Sequence, residues 1–536
     1  MPKKSIFVLV ACLAFFGSCS EEPLDLKPQG TLTEVTYFEK ADDFNRAVLG
    51  TYAKIVWLYQ SFVCCSGYTA GDPHYSLVLM ADDDLTEQNS NQVDRFDVNP
   101  TQDPFRDAFR LIYQVVFRAN VVLQKLEENG PKVIAGGLMT QQEADTYRGE
   151  ALFLRSYAYW LAYNIWENAP IVNQRFSNFS GITTPNATGA EILALLKSDL
   201  DAAEDLLPAG PKGWNADNRG RVTSGGAKIL LGKVLMATGE YGPAAAKLAE
   251  IEPQGYKLMP NFEQNFRLNS ENNDESLFEL QWGASPGFSN GYLDNDFFDV
   301  VGAVGGNRSM MLVNRNLGRG YYPTQALQNA FTPLDPRRRL TIFAPGDTIS
   351  VYKEDDVQKV EVYRTGLSTT GSHVAKYLKF DGQDARRGAY PNATDNVDYN
   401  NERVFRLADA LLLRAEALLE SGGSTTEVIG LINRIRERAR NSTSTGTPSA
   451  EPADRPLIET NRDVIHGWIR EERRLELAFE GHRLWDLFRW HRAGKINLQN
   501  WNWGSTGVSW EPKNIRFPFP QSELDINNGL KQNEAY

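Results

Sequence analysis

LLGKVLMATGEYGPAAAKLAEI, residues 230–251, decides the fold, because its apolar spacing predicts two short helices packed across a turn. Leu231 and Gly232 sit on the first helix, Tyr241 follows the turn, and Ala244 stands twelve residues beyond Gly232. Gly232 lets the paired helix approach closely, and Ala244 keeps that contact thin. Helical spacing continues outward in both directions. Phe105, Phe109, Ile112, Val116, Asn120 and Leu123 recur at intervals of three and four, as do Ala144, Tyr147, Ala151, Leu154, Ala158, Leu161 and Ile165. A further helix is predicted from about Glu191 to Leu207, stopped by Pro208. Downstream, RLADALLLRAEALLE and TTEVIGLINRIRERAR form a helix pair joined at Gly422 and Gly423, with another helix from about Asp463 to Glu480.

The 230–251 stretch resembles a tetratricopeptide unit, so the expected fold is mainly α, a tetratricopeptide-like superhelix of helix pairs. Between about residues 263 and 401 the periodicity is lost, and Gly, Asn, Asp and aromatic residues accumulate. This is a long, irregular, loop-rich insertion with little β structure; strands are predicted at Glu275–Trp282 and around Lys376–Phe380, making a small sheet. The chain then divides into a signal at 1–18 and one domain at 19–536. That domain comprises a helical frame over about 36–260 and 402–495, the ligand-facing insertion over about 263–401, and a C-terminal segment over about 496–536.

Lys3 and Lys4 precede an apolar run from Ile6 to Phe16 that is too short to span a bilayer and reads as a secretory signal. Gly17 and Ser18 lead into Cys19, the position at which bacterial lipoproteins are cut and lipidated, although Phe16 stands where Leu is usual. Cleavage there removes two lysines and no acid, taking the net charge from −12 to −14, which argues against nucleic acid and anionic lipid as partners. With Cys12 removed and Cys19 lipidated, only the adjacent Cys64 and Cys65 remain; they form either two thiols or a vicinal disulfide, and no disulfide framework.

Several ordered blocks resemble the SusD/RagB family of outer-membrane nutrient-binding lipoproteins. They are Cys19 with EEPLDLKPQG; DDFNRAVLGTYAKI; Phe109–Leu123, with Tyr113 and Asn120; EALFLRSYAYWLAYNIWENAPI; GRVTSGGAKILLGKVLMATGEY; DPRRR at 335–339; REERRLELAFEGHRLWDLFRW at 470–490; and IRFPFPQSELDIN at 515–527. Gln532 and Asn533 also fit, whereas the usual Pro-Gly-Tyr ending reads Glu-Ala-Tyr. The resemblance implies a non-catalytic cell-surface protein of the outer membrane. It would capture oligo- or polysaccharide and deliver it to a SusC-type TonB-dependent transporter. The same architecture serves peptides in a minority branch, and a glycoside hydrolase or a purely protein-binding scaffold are the remaining alternatives.

Sugar recognition needs a flat apolar face together with planar polar groups. Two loop regions offer both: Tyr68, Asp72, His74, Tyr75 and Phe96, and Trp282, Phe288, Asn290, Tyr292, Tyr321 and Tyr322. The expected ligand contacts are Trp282, Tyr292, Tyr321, Tyr68, Asp72 and Tyr322. Trp57, Trp160, Trp166, Trp468 and Trp485 lie on helical patterns and are assigned to the core, while Trp214, Trp501 and Trp503 stand in loops. Glu472, Glu476 and Glu480 share a predicted helical face, but Arg470, Arg473, Arg474, Arg483 and Arg489 are expected to pair with such carboxylates and hold their pKa values low, unsuited to proton donation. Gly283, Ser285 and Gly287 spell a Gly-x-Ser-x-Gly that Pro286 spoils, since an oxyanion hole needs the N–H that proline lacks. His74, His373, His466, His482 and His491 form no metal pattern, and no cofactor is called for. Asp82, Asp83 and Asp84 could contribute to a calcium site, with a solvated acidic turn or helix end as the default.

Overall fold

The computed structural model describes residues 37–59, 62–63, 69–70, 77–78, 81–87, 92–173, 183–281, 321–351, 359–362, 370–376, 401–504, 507–508 and 510–536. Its frame is a succession of helices: α1 (Ala41–Leu58), α2 (Asp103–Glu128), α3 (Gln141–Trp166), α4 (Gly189–Leu206), α5 (Ser224–Ala237) and α6 (Tyr241–Ala249). Each packs on its predecessor. Inside the insertion lies the short α7 (Pro336–Thr341), and after it the series resumes with α8 (Leu407–Glu420), α9 (Thr425–Asn441), α10 (Arg462–Leu477) and α11 (Arg483–Arg492). Helix α8 packs on α6, so the superhelix passes over the insertion and continues as the helix-pair reading predicts.

Local chemistry sets these boundaries. Thr140 and Thr188 each cap a helix by accepting the N–H of Glu143 or Glu191, whose carboxylates return a bond to the threonine backbone. At the decisive turn, a Cβ on Gly232 would lie 2.6 Å from Leu248 Cδ2, so α5 and α6 touch only because that position has no side chain. Ala244 is fully buried in the same contact. Trp160 and Trp166 are in the main core, with Trp57, Trp468 and Trp485 packed partly buried against it.

The strands are short and pair two by two: β1 (Phe62–Val63) with β2 (Thr69–Ala70), β3 (Leu85–Glu87) with β5 (Tyr321–Pro323), β4 (Ser276–Leu280) with β10 (Glu402–Arg406), β6 (Ile342–Phe343) with β9 (His373–Val374), and β7 (Thr348–Val351) with β8 (Lys359–Val362). Small sheets do lie inside the insertion, β6 with β9 and β7 with β8, but not between the two strands predicted. The predicted first strand exists as β4, but its partner lies beyond the insertion, so β4 and β10 close its base. The second appears earlier than predicted, at His373–Val374, and residues 377–380 lie outside the described residues. A separate apolar cluster, including Phe262, Phe266, Leu327, Phe331 and Ile342, joins the insertion to Leu475 and Phe479 at the end of α10.

The C-terminal segment is fastened to the end of α3. The Trp166 indole donates to Pro518 O at 3.0 Å, and the Asn533 amide donates to Trp166 O and Phe517 O. The departure in the last three residues from the family ending leaves this anchorage in place.

Candidate functional site

A buried shelf is built from an acidic turn and two helices. Asp83 is buried and receives both Nε and Nη2 of Arg483, at 2.6 and 2.8 Å, and the Trp501 indole N–H at 3.0 Å. Asp84 receives Arg474 Nε at 2.6 Å. Asp82 accepts the backbone N–H groups of Asp84 and Leu85. Burial alone would push the Asp83 carboxyl up, but the Arg483 guanidinium more than offsets it and brings it down to about 2. Among the described residues Asp82 forms no ion pair, and burial followed by the neighbouring Asp84 and Asp83 raises it well above the usual carboxylate range. The solvated acidic turn expected from sequence is thus a buried one. Both oxygens of Asp83 and one of Asp84 are spent on arginine, where a calcium ion would need them.

From this turn the chain runs directly into β3, whose register with β5 sets Leu85 opposite Pro323, Thr86 opposite Tyr322 and Glu87 opposite Tyr321. Thr324 completes the join, donating its N–H to Asp84 O and its hydroxyl to Asp83 O, both at 2.9 Å. The two aromatic loop regions singled out in the sequence, more than 200 positions apart, therefore spring from hydrogen-bonded neighbours. Phe96 meets Trp503 edge-on at 4.7 Å, and Trp503 stacks on Trp510; all three rings are buried, so Phe96 packs inside instead of presenting a face to solvent.

Among the expected ligand contacts, Tyr321 lies on β5 at the exit of the second loop. Tyr322 is 3% exposed and packs edge-on against His373 at 5.2 Å, so its ring supports β5 instead of facing solvent. Trp282 follows directly on the described Gln281; it, Tyr292, Tyr68 and Asp72 lie outside the described residues, as do Cys19, Cys64, Cys65 and the Gly283–Gly287 motif.

The carboxylates of the Arg470–Trp490 block are ion-paired as expected, but with other partners. Glu472 binds Arg337 at 2.6 Å and Arg436 at 2.7 Å; Glu476 binds Arg337, Arg406 and Arg438; Glu480 binds Lys376 and Arg406, each at 2.6 Å. Helix α10 ends at Leu477 and Phe479 takes a positive φ of 65°, so Glu480 reaches the cluster from beyond the helix. The block's own arginines serve elsewhere: Arg473 on Asp409 and Asp486, Arg474 and Arg483 on the acidic turn, Arg489 on Glu416. Burial opposes ionisation of Glu476 and Glu480, yet the surrounding cations prevail, lowering both and placing Glu480 at about 2. Such groups are ionised throughout the physiological range and cannot donate protons. Sequence reasoning missed Arg337, Arg406 and Lys376; DPRRR was noticeable as a motif, but nothing local pointed it at α10.

A superhelix of helix pairs, with β3 and β5 joined beside one ion-paired acidic turn, defines a helical-repeat scaffold. The chain belongs to the SusD family, whose profile matches residues 253–536, and a second profile, described as "Starch-binding associating with outer membrane", matches residues 52–225. A SusD-like protein of Formosa agariphila is 24% identical over 99% of this chain and 97% of its own length. The starch-binding protein SusD of Bacteroides thetaiotaomicron is 23% identical over 74% of each chain. Among solved structures, a laminarin-binding SusD-like protein superposes with a TM-score of 0.68 at 24% identity, covering 92% of this chain and 99% of that one. Surface glycan-binding protein A from Bacteroides uniformis gives 0.65 at 21%, covering 92% and 99%. At these identities the structures establish the shared fold. Members of the family are binding proteins, and no helix among the described residues is long and apolar enough to cross a membrane.

Proposed function

We propose that this protein captures an oligo- or polysaccharide at the outer membrane and hands it to a SusC-type TonB-dependent transporter, without cutting it. The observation that supports the reading is the β3–β5 join, in which strands adjoining the two aromatic-rich stretches of sequence are hydrogen-bonded neighbours beside a buried, charge-balanced turn. Trp282, Tyr292, Tyr321 and Tyr68 are the proposed stacking surfaces, with Asp72 engaging hydroxyls; Tyr322, being buried, is proposed as their support. The relatives named for starch, laminarin and surface glycan support the ligand class. Lipidation of Cys19 would tether the chain, since several acyl chains at about 0.8 kcal/mol per buried methylene hold far longer than one.

Electrophoresis of residues 20–536 through gels containing laminarin, starch or other polysaccharides tests the reading. Retardation by at least one glycan is expected. Trp282→Ala or Tyr321→Ala should weaken it about ten-fold, equivalent to roughly 1.4 kcal/mol, with unchanged circular dichroism. Migration unaffected by every glycan, or release of reducing sugar by the pure chain, would sink it.

A further inference from the structure

The helical frame holds a cleft of ≈ 280 Å³ bounded by α3, the α5–α6 turn, β10 and α11. This is just below the roughly 300–1,000 Å³ usual for ligand pockets. Trp160 and Tyr163 form one wall, stacked at 5.9 Å with an interplanar angle of 24°. Trp485, partly buried, lines it from α11, and Tyr241, also partly buried, lines it from the start of α6. The floor is buried and polar, with Lys233 and His482 beside Phe405. Thr238 and Gly239 at the mouth are exposed, so the cleft is open to solvent at its rim.

The charges around this space are already matched. Lys233 Nζ sits 2.7 Å from Asp409; Asp486 is held by Arg473 at 2.7 Å and Arg489 at 2.9 Å; Glu480 by Lys376 and Arg406; Arg492 by Glu167 at 3.1 Å. Burial draws the His482 imidazole down to about 4, and the nearby Asp409 only partly counters it, so the ring is neutral at physiological pH. An ionic ligand would find no unmatched partner here. Flat rings beside polar groups suit a neutral molecule with an apolar face and many hydroxyls, and Lys233 has further N–H donors beyond the one directed at Asp409.

We propose that this cleft is a second carbohydrate pocket, admitting one or two neutral sugar rings against Trp160, Tyr163 and Trp485 and distinct from the loop face. The choice of ligand class rests on the glycan-binding reading above, but the location does not. A pocket in the frame would grip the end of a chain whose body lies elsewhere, or a small sugar on its own.

The test uses residues 20–536 titrated with D-glucose, D-galactose, D-mannose and their β-linked disaccharides, followed by calorimetry and tryptophan emission. At least one sugar is expected to bind saturably and to perturb emission. Ala237→Phe, which narrows the mouth, and Trp485→Ala should each weaken binding at least ten-fold, while Leu138→Ser and Ile458→Ser, exposed and outside the cleft lining, leave it within two-fold. Melting temperatures of all four variants establish that each is folded. Binding that disappears only with the loop variants Trp282→Ala or Tyr321→Ala overturns the pocket and leaves the loop reading standing. Binding lost with Ala237→Phe, in a chain whose loop variants retard normally on every polysaccharide, supports the pocket and overturns the loop reading. Absence of any sugar response overturns the pocket whatever the gels show.

Discussion

Arg406 is 1% exposed and serves four acceptors at once: Glu480 and Glu476 side chains at 2.6 Å, Glu275 at 2.9 Å and the Glu476 carbonyl at 2.8 Å. Its fork joins β10, β4 and the end of α10, so Arg406→Met should cost about 3–5 kcal/mol by leaving buried carboxylates short of a partner. Urea unfolding followed by circular dichroism measures this, and a cost below about 1 kcal/mol would contradict the role assigned to the cluster. Arg406→Lys should recover little, because an ammonium cannot span the same acceptors. pH acts on the same region through two kinds of group. Glu480 and Asp83, both near 2 when folded, add stability that is full above the usual carboxylate range and is lost as pH falls toward 2. His482 titrates at about 4 when folded and near 6.5 when unfolded, so the unfolded chain takes up the extra proton between those values. Stability should therefore decline as pH drops from about 6.5 to about 4, by on the order of 3 kcal/mol. His482→Gln should flatten that part of a urea-midpoint profile against pH; an unchanged slope would assign the acid sensitivity elsewhere.

At the scale of elements, the α5–α6 contact depends on one absent side chain. Gly232→Ala would gain helix propensity of about 1 kcal/mol but drive a methyl into Leu248, 2.6 Å from its Cδ2. We expect a net loss of about 1–3 kcal/mol. In a Leu248→Ala background the same change should turn neutral or favourable, and a double-mutant cycle showing no coupling would rule out the close approach as the reason for glycine. The spacing of apolar residues made this helix pair legible, as it did α2, α3, α4, α8 and α9. Strand pairing was not legible, because runs of two to five residues carry too little periodicity to name partners: β3 and β5 are joined from more than 200 positions apart.

At the scale of the whole molecule, the proposed role requires the chain to be held at the membrane. Cys19→Ala should leave the protein expressed and folded, yet move it from the membrane pellet to the soluble fraction and abolish labelling by a fatty-acid analogue. A variant that stays membrane-bound without lipid would remove the anchor from the account. The aromatic loops were visible as composition, but which of their rings are presented was not. Tyr322 shows why: a strand has two faces, and the one that Tyr322 takes is covered by His373.

Helix positions, the close contact at Gly232 and the ion-paired state of Glu472, Glu476 and Glu480 all follow from near-neighbour physics, which the linear order of residues contains. The partners in those ion pairs do not. Helical spacing assigned the carboxylates to arginines on their own block, whereas Arg337, Lys376, Arg406, Arg436 and Arg438 arrive from other elements. The burial of Asp82, Asp83 and Asp84, the pairing of β3 with β5 and the cleft beside Trp160 were likewise settled only by tertiary packing. A charge in a low-dielectric interior is matched by whichever opposite charge the fold brings within reach, and separation along the chain has no part in that choice.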